Sequence, residues 1–132
     1  MATIIGGDLD SLVEMCRPEV ELSNPDGSFQ GREGVRAAFE PMLAATSERA
    51  VEIRQLVESG DAVVADFVFR FKNTGPLTTP QGTLPATGRQ VALSSIGIYN
   101  LRAGKLSHSR GEYDRMTLLA QLGLLPAPAQ AS

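Results

Sequence analysis

"VEIRQLVESGDAVVADFVFRFKN", residues 51–73, is the stretch that decides the class of fold. Its apolar residues recur at every second position on both sides of Ser59-Gly60-Asp61. That is the period of a β-strand, and the polar break between the runs is a turn signal. Before the turn, Val51, Ile53 and Val57 alternate with Glu52, Arg54 and Glu58. After it, Val63, Ala65, Phe67, Phe69 and Phe71 share one face, and Val64, Asp66, Val68, Arg70 and Lys72 share the other. The aromatic face is expected to point inward, with Asp66 and Arg70 pairing outside.

The same period continues toward the C-terminus. Residues 73–90 form an irregular, Pro- and Gly-rich loop, longer than compact domains usually carry without a reason. "VALSSIGIYNL" (91–101) reads as the next strand, "RAGK" as a turn and "LSHSRGEYD" (106–114) as the last strand. "RMTLLAQLGLL" then has helical spacing, with Gly123 suited to end the helix.

Toward the N-terminus, Leu9, Leu12, Val13 and Cys16 fit one face of a short helix that stops before Pro18. Val20–Asn24 alternates as a short strand and ends at the turn "NPDG". A second helix is expected over Glu33–Thr46, with Val35, Phe39 and Met42 on its inner stripe. Pro41 should kink or divide it.

The order helix, strand, helix, four strands, helix predicts an α+β fold. In it, a curved antiparallel sheet carries helices on one face and forms a cone-shaped cavity. Residues 1–126 read as a single domain, and 127–132 as a disordered tail.

With a net charge of −3 and no basic stripe, the chain offers no footprint for nucleic acid. It contains no apolar run of the ~18 residues a membrane-spanning helix needs. The N-terminus lacks the basic and apolar regions of a signal peptide, so a cytoplasmic location is expected. One cysteine and one histidine leave no internal disulfide and no Cys- or His-based metal site. No metal and no cofactor are expected.

In the last strand, strict alternation would put Leu106, His108, Arg110, Glu112 and Asp114 on one face. Such a row reads either as the charged wall of a pocket or as an ion-pair ladder on an outer sheet face. Asp114 also stands where an aspartate would cap the following helix.

Several motifs carry a family resemblance over residues 6–126. "GGDLD", Pro18-x-Val20, Asn24-Pro25-x-Gly27 and Gly31-x-x-x-Val35 resemble the ketosteroid isomerase-like proteins of the nuclear transport factor 2 superfamily. Tyr113-Asp114 followed by Gln121-Leu122-Gly123-Leu124 resembles the SnoaL-like polyketide cyclases. The resemblance implies a cofactor-independent acid/base enzyme that cyclises or isomerises a small hydrophobic carbonyl or polyketide-like compound. It implies Asp114 as the acid/base group, with His108, Arg110 and Glu112 beside it. Asn24, Phe39, Phe67, Phe69, Tyr99 and Tyr113 are the expected substrate contacts, and a homodimer is the expected assembly.

Asn24 stands where ketosteroid isomerases carry their aspartate base, and an amide cannot serve as one. Two alternatives stay open: a non-catalytic small-molecule-binding or dimerisation module, and an epoxide hydrolase or epoxide-opening cyclase. The epoxide hydrolase branch bridges two aspartates with an arginine; here Gly111 follows Arg110 where that branch has an acid.

Overall fold

The computed structural model describes residues 9–79 and 82–124. The proposed tail, 127–132, lies outside the described residues. The stretch quoted above forms the longest hairpin, β3 (Thr46–Ser59) against β4 (Ala62–Asn73). Gly60 makes the turn with φ +58°, a conformation that costs glycine little. Register pairs Ile53 with Phe67 and Val51 with Phe69, so these four side chains share the inner face. Irregularities between Ser47 and Ala50 and between Ile53 and Gln55 interrupt β3. Bulges of this kind bend a strand and add twist, which curves the sheet.

The remaining elements are α1 (Leu9–Glu14), β1 (Cys16–Asn24), β2 (Gly27–Gln30), α2 (Gly31–Ala45), β5 (Leu77–Thr79), β6 (Gly82–Leu84), β7 (Gln90–Arg102), β8 (Lys105–Tyr113) and α3 (Arg115–Gln121). The main sheet has six strands in the order β2-β1-β8-β7-β4-β3. All its pairs are antiparallel except β1–β8, which is parallel and joins the two ends of the domain. That pair departs from the all-antiparallel expectation. Succession of strands along the chain cannot reveal it, because β1 and β8 are far apart in sequence.

Four local expectations are also revised. Cys16 does not end the first helix. It opens β1, fully buried, and donates its thiol to the Leu12 carbonyl. The β1 ladder shifts between Cys16 and Glu21, a break that accommodates Pro18. α2 runs from Gly31 to Ala45 without division at Pro41. The long loop contains a small hairpin, β5–β6.

Asp66 and Arg70 do not pair with each other. Arg54 reaches Asp66 and Arg70 reaches Glu52, each at 2.9 Å across the β3–β4 ladder.

Two hydrophobic clusters form the core. One gathers Val13, Cys16, Val20, Leu22 and Val35 where α1 and α2 meet β1. The other gathers Phe71, Val91, Leu93, Leu118 and Leu122 where α3 meets β4 and β7. Gln121 fixes α3 there by pairing with both backbone groups of Ala92, at 2.8 and 2.9 Å. Gly123 follows at φ +75°, with the Arg89 guanidinium packed over it where a Cβ would stand. The Gln-Leu-Gly-Leu motif thus docks and terminates one helix.

Candidate active site

Three helices and the concave side of the sheet enclose a cavity of about 680 Å³. Both core clusters contribute to its wall. Phe39 from α2, Phe67, Phe69 and Phe71 from β4, and Tyr99 from β7 supply aromatic surface. Phe69 and Phe71 lie 5.0 Å apart between ring centroids. The size and apolar lining suit a small hydrophobic ligand.

Polar groups gather where the parallel strands β1 and β8 end side by side. Ser23 pairs with Arg110, so the turn after β1 meets the last residues of β8. Asn24 lines the cavity, and its Oδ1 accepts the Asp26 N–H at 2.8 Å, which shapes the Asn-Pro-Asp-Gly turn. That turn presents the Asp26 carboxylate to the Arg115 guanidinium at the start of α3, and the two form an ion pair. The Tyr113 hydroxyl lies beside that guanidinium. All four residues line the cavity.

Burial holds the Tyr113 phenol above its usual range, and the Asp26 charge adds to the rise; Arg115 partly opposes it. Burial likewise pushes the Tyr99 phenol up. Tyr99 lies over Gly97, where a Cβ would overlap its ring. Both phenols therefore stay protonated donors at neutral pH.

Of the row read from "LSHSRGEYD", Leu106 and Glu112 line this cavity, and His108, Arg110 and Asp114 do not. In the β7–β8 ladder Asn100 pairs with His108, yet Leu101 pairs with Leu106, leaving Ser107 as an extra residue. Its hydroxyl donates to the Asn100 carbonyl at 3.0 Å. This bulge reverses the alternation. Leu106 packs inward, and beyond the bulge Ser109, Gly111 and Tyr113 line the cavity.

His108 is half-buried and does not line the cavity. Arg110 and Glu112 are exposed and pair at 3.0 Å. Glu112 touches the cavity rim, and with Asp114 it also borders a shallow depression on the outer side of the sheet.

Asp114 is exposed and caps α3. Its carboxylate accepts the Thr117 hydroxyl and the Met116 N–H, each at 2.9 Å. The Thr117 hydroxyl, then the Met116 N–H, hold its carboxyl below the ordinary aspartate range. Asp114 is thus engaged in capping and does not line the cavity.

The bulge thus places Arg110 on the outer face and leaves Glu112 at the cavity rim, while Asp114 caps α3. Asp26 and Arg115 are the residues that reading the sequence passed over. Asp26 looked like turn chemistry and Arg115 like the first residue of a helix. The signal that unites them is the parallel β1–β8 pair. Among the described residues, no group of three or more His, Cys, Asp or Glu is placed to hold a metal ion. No described helix is long and apolar enough to cross a membrane.

The fold has known counterparts. TsrD from Streptomyces laurentii is 30% identical, with a TM-score of 0.79, covering 94% of this chain and 89% of its own. A ketosteroid isomerase-like protein from Catenulispora acidiphila, solved with trimethylamine, is 19% identical with a TM-score of 0.77, covering 94% and 88%. An epoxide hydrolase of the LEH-like type from M. tuberculosis is 13% identical with a TM-score of 0.69, covering 92% and 81%. The last two likenesses concern the fold alone. No curated protein matches the chain. The family model for SnoaL-like polyketide cyclases matches residues 2–122, nearly the whole chain, and the protein belongs to that family.

Proposed function

We propose that this protein is a cofactor-independent enzyme that cyclises or isomerises a small hydrophobic carbonyl compound, polyketide-like in character, in the cytoplasm. One observation carries the reading. An apolar cavity of about 680 Å³ has a phenol, Tyr113, and a carboxylate, Asp26, close together in its wall. Asp26 takes a proton from the carbon beside a substrate carbonyl. The Tyr113 hydroxyl donates a hydrogen bond to that carbonyl oxygen as it becomes an enolate. In an aldol closure the enolate carbon bonds to a second carbonyl of the same molecule, and Asp26 returns its proton to the new alkoxide. Asn24, Phe39, Phe67, Phe69 and Tyr99 hold the body of the substrate. Asp114 acts as a positioning residue, because the helix it caps begins with Arg115.

The outer sheet face supports the homodimer. Ile96 and Ile98 lie exposed in its middle, and Val57 beside them. The flanking charges neutralise one another as Arg54–Asp66, Arg70–Glu52 and Arg110–Glu112. A surface with internally paired charges around an apolar centre can pack on a second copy without stranding a charge.

The test of the enzyme is solvent deuterium exchange into the methyl group of 2-acetylnaphthalene, followed by proton NMR. The protein should accelerate the exchange, and Asp26→Asn should abolish the acceleration. Binding of the ketone with no exchange above buffer would leave a non-catalytic binding module instead.

A further inference from the structure

Arg115 is the single cation among the described residues that line the cavity. Its side chain is mostly buried, and so is that of its partner Asp26. A guanidinium carries five N–H donors. Asp26 is its side-chain acceptor here. A fork of that kind can hold a second acceptor while keeping its first, which a lysine could not do in fixed geometry. The rest of the wall is overwhelmingly apolar, so an anion entering the cavity has one strong place to put its charge.

From this placement we propose that the cavity selects ligands with an apolar body and one anionic oxygen, a carboxylate or an ionised enol, held by Arg115. The proposal rests on the ligand-binding reading above and narrows it. The aromatic wall takes the body of the ligand, and Arg115 reads its charge. Asp26 sets how strongly that charge is read, because it competes for the same guanidinium.

The full chain is titrated by calorimetry with 2-naphthoate, with its methyl ester and with 1-(2-naphthyl)butane-1,3-dione below and above the pH of its own ionisation. Arg115→Gln should weaken 2-naphthoate roughly ten- to hundredfold, the worth of a charge-assisted contact. The ester should change by less than about twofold, since it offers no charge for that contact. Asp26→Asn should strengthen 2-naphthoate. A variant that merely lost its fold would weaken every ligand, so the opposite signs separate the proposal from damage. The larger loss between naphthoate and the ionised diketone identifies the anion the site prefers. Equal effects of Arg115→Gln on acid and ester, or no gain in Asp26→Asn, would overturn the proposal while leaving the cavity reading intact. If none of the three probes binds the wild-type protein, both readings fall.

Discussion

Replacing Asn73 with alanine should be among the most damaging single changes outside the apolar core. Asn73 ends β4, is 2% exposed, and lines the cavity. Its Nδ2 donates to the Ala45 carbonyl at 3.0 Å and to the Gly75 carbonyl at 2.9 Å. Its Oδ1 accepts the Thr87 N–H at 2.8 Å and the Thr87 hydroxyl at 3.0 Å. One side chain therefore ties the end of α2 to both ends of the 74–89 loop, from which Leu77 and Leu84 reach the cavity. Each such bond contributes about 1 kcal/mol net, and partners left buried without a bond cost more.

Alanine should lower stability by roughly 3–5 kcal/mol, a large share of the ~5–15 kcal/mol available to a domain. Urea unfolding measures it. The midpoint should fall with the slope unchanged, since the same surface is exposed on unfolding. Asn73→Asp keeps the acceptor but removes both donations and buries a charge against the Ala45 and Gly75 carbonyls. It should be at least as damaging. A loss below about 1 kcal/mol for alanine would refute the reasoning, because four made bonds cannot be that cheap to remove.

Three further outcomes are expected. Asp114→Asn should keep both the fold and the deuterium exchange, because asparagine caps helices as well as aspartate does. Asp114→Ala should lower the melting temperature at neutral pH. Its capping carboxyl is held below the usual aspartate range, so that stabilisation is present above the unfolded-state value and lost as pH falls through the folded one. The melting difference between wild type and Asp114→Ala should therefore shrink in acid. Ile96→Glu should convert the proposed dimer to monomer in sedimentation velocity, and an unchanged assembly would exclude the outer face as the interface. Gly97→Val places a side chain where the Tyr99 ring lies. It should cost about 1–3 kcal/mol in stability and weaken ketone binding; unchanged binding would show that Tyr99 does not contact the ligand.

The fold was legible where one periodicity ran long enough to be unambiguous. β3, β4 and β7 declare themselves through alternating apolar residues, and Phe67, Phe69 and Phe71 lie on the inner face that the alternation assigns them. The last strand was legible as a strand but not in its facing. One extra residue, Ser107, inverts everything after it. Nothing in "LSHSRGEYD" marks that position, because the bulge depends on how β7 and β8 are registered. The ion pair at the cavity end was hidden for a related reason. Asp26 and Arg115 are 89 positions apart, and only the parallel β1–β8 pairing brings them together. Short motifs were informative about the jobs they do locally. Asn-Pro-Asp-Gly makes a turn and Gln-Leu-Gly-Leu docks a helix, while the chemistry sits between them.

The measurement that bears most directly on the central claim is a crystal structure with 2-acetylnaphthalene bound. The ring system should lie among Phe39, Phe67 and Phe69, with the carbonyl oxygen within about 2.6–3.2 Å of the Tyr113 hydroxyl, the reach of a hydrogen bond. The methyl carbon should face the Asp26 carboxylate. A ketone seated instead in the outer depression beside Glu112 and Asp114 would contradict the account and return the proton chemistry to Asp114.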